Sequence, residues 1–320
     1  MPDQKNQPMR TCIKNLFLLP ALIAGLGLIP AGRVTAQTFT TLYSFTAVSG
    51  SGANSDGAWP YAVLILLGNT LYGTTQFGGS SGKGTVFAVS TNGTGFTNLH
   101  SFTATSGSLY TNSDGADPWA GLILSGNTLY GTAFRGGSSG TGTVFAVSTD
   151  GMGFTNLHSF NSSSDGANPF AGLILSGNTL YGTAAYGVSS GAGTVFAVHT
   201  NGMGFTNLHT FTYGRANPHS SLILSGNTLY GTTTYGGSSD WGTVFSLSLP
   251  PPPQLTIIPS GTHVILTWPT NATGFTLQST TNLVSPVIWT NVSSAAVVVN
   301  GQNAVTNPIS GTKKFYRLSQ

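Results

Sequence analysis

Serine, histidine and aspartate recur along this sequence at spacings that invite three chemistries. The first is acyl transfer. Gly78-Gly79-Ser80-Ser81-Gly82 has the glycine-X-serine-X-glycine form, as do Gly136–Gly140 and Gly187–Gly191. A nucleophilic serine of that kind sits on a strand–turn–helix elbow with an ordered acid and histidine. Glycine- and serine-rich stretches between apolar runs read instead as hairpin loops. The second is metal ligation by His100, His158 and His209, which share one repeat position with Tyr43 as the fourth member. Imidazole is a good zinc ligand. These positions, however, fall on the outermost strand of each unit, three strand spacings of ~4.8 Å from the innermost. Histidines of different units are thereby kept apart, as edge residues. The third is calcium binding by Asp56, Asp114 and Asp165, each followed by glycine. Calcium takes about six to eight oxygens, whereas an Asp-Gly turn needs no metal. No catalytic residue, metal or cofactor is expected.

Aromatic residues offer a different chemistry. A proline and then a large side chain precede the first strand of each unit, as Pro60-Tyr61, Pro118-Trp119, Pro169-Phe170 and Pro218-His219. A later loop carries Phe77, Arg135, Tyr186 and Tyr235 at equivalent places. Flat faces beside aspartate and asparagine suit sugar rings, through apolar stacking plus hydrogen bonds. The bland alternative is that the same rings wedge neighbouring units together. The eight residues are candidate ligand contacts, and both readings stand at this point.

What positions them is a repeat. The word LYGT begins at Leu71, Leu129, Leu180 and Leu229, and GTVF at Gly84, Gly142, Gly193 and Gly242. Both series step by 58, 51 and 49 residues. A period near 50 signals a propeller or solenoid. In the second copy, strand a is expected at Gly121–Leu124, b at Thr128–Thr132, c at Thr143–Ser148 and d at Phe154–Phe160. Gly126-Asn127 is a two-residue hairpin signal with both residues at positive φ. Four antiparallel strands per repeat make a propeller blade. Phe39–Phe45 (FTTLYSF) matches the strand-d word FTNLHSF, while the last copy runs from strand c into Pro250–Pro253 with no strand d. An N-terminal strand would therefore complete the last blade and close a four-bladed ring in one chain, a monomer. The alternatives are a β-solenoid, or two chains sharing a larger ring. The loops bearing the two aromatic sets would emerge on one face.

The flanks differ. Residues 1–36 combine three early positive charges, an apolar run broken by Pro20 and Pro30, and small residues before Gln37. This reads as a secretory signal peptide, too short in its apolar run for the roughly 20 residues of a spanning helix. The only cysteine, Cys12, lies within it, which excludes framework disulfides and Cys-based metal sites. Four prolines at 250–253 form a stiff linker. Residues 254–320 alternate apolar and polar over Gln254–Ile258, His263–Trp268, Gly274–Ser279, Val287–Val292, Ala296–Val299 and Phe315–Leu318. They suggest a small immunoglobulin- or fibronectin III-like sandwich, with Val264, Leu266 and Trp268 facing Phe275, Leu277 and Trp289. The chain has 10 basic and 7 acidic residues, and no glutamate. Beyond residue 36 the two signs cancel, so the phosphate contacts that dominate nucleic-acid affinity are not available. A two-carboxylate glycosidase site is likewise improbable with so few, scattered acids.

The unit DGANPFAGLILSGNTLYGTAAYG…GTVFAV…GFTNLHSF resembles the GloVer tandem repeat of Gloeobacter and Verrucomicrobia, over residues 39–249. The tail GFTLQSTTNLVSPVIWTNV…KKFYRLSQ is similar to a β-module of exported verrucomicrobial proteins. The resemblance implies a bacterial, exported, repeat-built protein with no established activity. The fourth copy departs from the pattern, with Tyr213-Gly214-Arg215 where the others have Ser-Asp-Gly. The expectation is a non-enzymatic, exported binding or surface protein, with a polysaccharide or cell-envelope component as partner. A purely structural module acting through protein contacts is the alternative.

Overall fold

The computed structural model describes residues 37–188, 191–212, 216–251, 253–270, 275–285, 287–310 and 313–319. The expected signal peptide with Cys12, and the Tyr213-Gly214-Arg215 departure, lie outside them. The chain divides into two compact units, residues 1–41 and 42–320. Residues 37–41 of the first are exposed and without regular structure. All sheets lie in the second, and every described element is a strand. No described helix is long and apolar enough to cross a membrane.

Each repeat folds as an antiparallel meander. The first sheet is β1 (Ile65–Leu67), β2 (Thr70–Thr75), β3 (Thr85–Ser90) and β4 (Thr97–Ser101). The second is β5 (Ile123–Ser125), β6 (Thr128–Ala133), β7 (Thr143–Ser148) and β8 (Thr155–Ser159). The third is β9 (Ile174–Ser176), β10 (Thr179–Ala184), β11 (Thr194–His199) and β12 (Thr206–Thr210). The LYGT and GTVF words are the two central strands, and the register sets Gly131 opposite Phe145. A Cβ on Gly131 would stand 2.5 Å from the phenyl Cζ, so the ring lies on bare backbone. In the Gly-Asn hairpins the glycine alone takes positive φ, as at Gly126 (56°). That is the requirement of a II′ turn, and it corrects the expectation of two left-handed residues.

The sheets pack in series through alternating side chains. Tyr130, Val144, Ala146 and Leu157 of the second meet Leu173, Leu180, Phe196 and Val198 of the third in one buried cluster. Tyr72, Val86 and Ala88 meet Leu122, Leu129, Phe145 and Val147 in the same way. Each buried valine or leucine contributes about 1.5–3 kcal/mol. Hydrogen bonds reinforce the step: Thr74 Oγ1 donates to the Ala120 carbonyl at 3.0 Å, and Thr132 Oγ1 to that of Ala171 at 3.0 Å.

The fourth sheet has three strands, β13 (Ile223–Ser225), β14 (Thr228–Thr233) and β15 (Thr243–Ser248). The expected closing strand is not formed. Residues 42–48 carry no strand pairing, and they lie against the first sheet. Tyr43 stacks on Phe96 with centroids 3.9 Å apart, and Phe45 meets the edge of Phe87 at 5.3 Å. These are the contacts that each strand d makes with the following sheet: His100 stacks on Phe154 at 3.7 Å, and Phe102 meets Phe145 at 5.3 Å. The N-terminal word finds its apolar partners there without pairing to β15.

Beyond the proline linker, β16 (Thr256–Ser260), β17 (His263–Pro269), β18 (Thr276–Thr280), β19 (Thr290–Asn291), β20 (Val297–Val299), β21 (Gln302–Pro308) and β22 (Phe315–Ser319) form two antiparallel sheets. Leu266, Trp268, Leu277 and Val305 are the core, with Val264, Val292, Tyr316 and Leu318 around it. β21 was not expected from the sequence, because its polar residues mask the alternation. Trp289, expected to face this core, instead lies under the Arg317 guanidinium at 4.4 Å.

The Asp-Gly turns tie one sheet to the next. Asp114 accepts from His100 Nε2 at 2.9 Å, from the Thr103 amide at 3.0 Å and from the Thr103 hydroxyl. Asp56 accepts from Tyr43 Oη at 2.8 Å, and Asp165 from His158 Nε2 at 2.6 Å. Burial pushes the Asp114 carboxyl up, but the bonds from His100 and Thr103 outweigh it, and the net shift is down. Asp56 is lowered against burial by Thr46 and Tyr43. A lowered native pKa means that the unfolded chain binds the proton more tightly, so stability is lost as pH falls through the native value. The urea midpoint should therefore drop between about pH 5 and about pH 2. Asp114→Asn should flatten part of that limb and cost about 1–3 kcal/mol at neutral pH.

Candidate binding rim

In each sheet the loop entering strand a and the loop leaving strand b meet at the same end. Bridges Ala58–Phe77, Ala116–Arg135 and Ala167–Tyr186 join them, and the Tyr235 amide donates to the Ala216 carbonyl at 3.1 Å. The eight candidate residues therefore sit at equivalent ends of their sheets, two per sheet.

The residue before each proline secures this end. Trp59, Asp117, Asn168 and Asn217 have φ of 59°, 57°, 57° and 49°. The left-handed region is open to Asn and Asp but unusual for a bulky side chain. The Asn168 amide donates back to the Thr141 carbonyl of the preceding sheet at 2.7 Å, while its own carbonyl accepts from Ala185 N at 3.2 Å. Asp117 bridges Lys83 O and Phe134 N in the same way. Nothing in the sequence reading singled these residues out, although the repeated Asp-Pro and Asn-Pro pairs were the available signal.

Tyr61, Trp119, Phe170 and His219 form one continuous stack. Their centroids are 5.4, 5.0 and 5.0 Å apart, with planes inclined by 7°, 31° and 24°. The two inner rings use both faces against their neighbours. The first set is thus an inter-sheet wedge along its length, and a sugar ring could stack only at its ends. The second set is brought to the rim one residue at a time. Phe77 packs on the edge of Trp59 at 4.9 Å, and Tyr186 on the edge of His219 at 6.0 Å. Tyr186 and Tyr235 remain 40% and 42% exposed, enough to offer a ring face to a ligand. Trp59, not among the eight, is also exposed. Ser80 and Ser138, from the glycine-serine motifs, lie in loops that lead into strands, without the elbow's helix. An open concavity of about 480 Å³ between the second and third sheets, lined by Tyr130, Met152, Thr200 and Asn201, contains none of the eight.

Arg135, half-exposed, faces buried Asp117 at 3.4 Å. Burial raises the Asp117 carboxyl against the pull of Arg135 and Lys83, and its Oδ1 has no donor. At the equivalent place Asn168 Nδ2 donates to the Phe134 carbonyl at 2.8 Å, a bond a carboxylate cannot make.

Comparison with known families settles the lineage of the repeat. The model of the Gloeobacter/Verrucomicrobia repeat matches residues 109–281, more than half of the chain. The chain belongs to that family. The family match starts in the loop entering the second sheet and extends into the C-terminal sheets, whereas the resemblance in the sequence spans 39–249. No curated protein matches this member of the repeat family. Among solved structures, a putative TolB from Agrobacterium tumefaciens is 13% identical over 68% of this chain and 65% of its own, with a TM-score of 0.33. An ulvan lyase of polysaccharide lyase family PL25 is 11% identical over 69% and 48%, at 0.36. A putative 6-phosphogluconolactonase from Bacteroides uniformis is 13% identical over 86% and 90%, at 0.28. The repeat protein spans about two thirds of that TolB and half of the lyase. Likenesses of this size carry no conclusion about function.

Two outcomes follow from the wedge and the buried acid. Trp119→Ala should destabilise by about 3 kcal/mol through the lost stack, lowering the melting temperature. Asp117→Asn should do the reverse. A raised native pKa means that stability is lost as pH rises from the ordinary carboxylate value through the native one. The amide removes that loss and restores the bond Asn168 makes, so urea unfolding at neutral pH should show a gain of about 1 kcal/mol.

Proposed function

We propose that this repeat protein is a non-enzymatic, exported binding module whose sheets are propeller blades, and that its ligand is a polysaccharide of the cell envelope or its surroundings. The observation that carries this is the rim. Every sheet presents one large side chain (Phe77, Arg135, Tyr186 and Tyr235) from a glycine-flanked loop at the same end. The two tyrosines are half-exposed, with their backbones anchored by hydrogen bonds to the neighbouring loop. Rigid aromatic faces with hydroxyls at their tips, repeated along an array, suit a ligand that is itself repetitive, amphipathic and uncharged. The low charge of the chain, 5% of residues, fits a neutral ligand better than an ionic one. Export is supported by the charged, apolar and small-residue order of residues 1–36.

Affinity electrophoresis against a panel of neutral and acidic polysaccharides tests this reading. Selective retardation of the wild type is expected. Tyr186→Ala and Tyr235→Ala together should abolish it with the melting temperature unchanged, since both side chains are half in solvent. Retardation by none of the panel, or retardation untouched by the double substitution, would sink the proposal and favour a module that works through protein contacts.

A further inference from the structure

The two ends of the sheet series are complementary and unsatisfied, and we propose that a second copy of this chain fills them head to tail. The forward face of each sheet carries a tyrosine and a valine that the next sheet covers. Val86, Val144 and Val195 are 0% exposed, whereas Val244 in the fourth sheet is 82% exposed, with Tyr230 and Ser246 open beside it. The rear face carries a leucine at the start of strand a. Leu122, Leu173 and Leu222 are 3–5% exposed, and Leu64 in the first sheet is 50% exposed. The C-terminal sheets follow β15 directly, and Val244 remains in solvent all the same.

The fit is given by the three interfaces already within the chain. At each, the glycine that opens strand c receives the proline of the following sheet. Built Cβ atoms on Gly84, Gly142 and Gly193 would lie 2.6, 2.5 and 2.8 Å from Cδ of Pro118, Pro169 and Pro218. Gly242 meets no such proline, and Pro60 has no such glycine among the described residues. The aromatic stack ends on Tyr61 at one side and His219 at the other, each with one face not covered by the stack. β15 has a free edge, and residues 42–48 lie on the first sheet in the role of a strand d without a strand c to pair with. A second copy placed with its first sheet on this chain's fourth would supply every missing partner at once: Pro60 for Gly242, Tyr61 for His219, Leu64 for Val244, and residues 42–48 for the edge of β15.

The chain's own ends are the rival occupant. Among the described residues no strand pairing and no ring contact joins them. In place of the expected monomer, the contact proposed is heterologous, of the kind that closes into a ring or extends as a filament.

Sedimentation velocity on the full chain, over a wide concentration range, tests the proposal without reference to any ligand. The wild type should self-associate, its mass at least doubling as concentration rises. Val244→Asp and Leu64→Asp change residues that are exposed in the single chain, so both should melt as the wild type does and remain monomeric. Mixed together they should form a 1:1 dimer and stop, because one retains only a sound front and the other only a sound back. A wild type monomeric at every concentration would overturn the proposal, whether its ends stay open or close on each other. So would association indifferent to both substitutions, or two monomeric variants that fail to pair.

Discussion

A proline ring seated on a glycine without a side chain is the contact on which the rest of this array depends. Gly142 holds a φ of 106° and has Pro169 where a Cβ would go. Any other residue would be strained by the backbone and pushed off by the ring. This brings two sheets into close contact. At that spacing Thr132 reaches the next chain segment, and the aromatic wedge stacks with centroids 5.0–5.4 Å apart. The residue before the proline takes a positive φ, 57° at Asn168, and that residue's peptide links both sheets. One small contact therefore sets distance, orientation and hydrogen bonding together.

The electrostatics are sparse and local. Six acids follow residue 36, and three of them are clamps: Asp114 and Asp165 receive a proton donor from the preceding strand d, and Asp56 from Tyr43 of the unpaired N-terminal word. The shared aspartate is absent from the fourth repeat. Asp117 is the exception in sign: it occupies an asparagine's place and is held by an arginine at the rim. Asp56 and Asp114, whose bonds favour the charged carboxyl, and Asp117, whose burial resists it, pull stability in opposite directions with pH. The fold is consequently least troubled by protonation in the mildly acidic to neutral range.

Much of the fold was legible because the chain states it four times. The Gly-Asn hairpins, the central strand pair and the missing last strand all follow from aligned words, and strand boundaries moved by only one or two residues. Closure was not legible. Phe39–Phe45 matches a strand d, and a strand d has two partners, its own strand c and the following sheet. The letters do not say which is satisfied; packing of Tyr43 and Phe45 against Phe96 and Phe87 chose the second. The candidate rim was half legible. That the loops share an end follows from meander topology. That the proline-linked rings would spend their faces on one another depends on a 5 Å spacing that no pattern of letters contains. The Asp-Gly turns were read as turns, and their reach back to a histidine one strand earlier is a tertiary fact. β21 was hidden by its own polar residues.

The serial packing also bears on how the chain opens and how it could have grown. Among the described residues each buried cluster of the repeats joins one sheet to the next, so the array approximates a one-dimensional row of coupled units. The inner sheets are held on two sides and the outer ones on one. Local opening should therefore cost least at the ends and most in the middle, giving graded amide-exchange protection along the row rather than one threshold for all. Since every junction uses the same glycine, proline and threonine, inserting or deleting a whole repeat preserves each remaining junction. Length can change by duplication without redesigning the core.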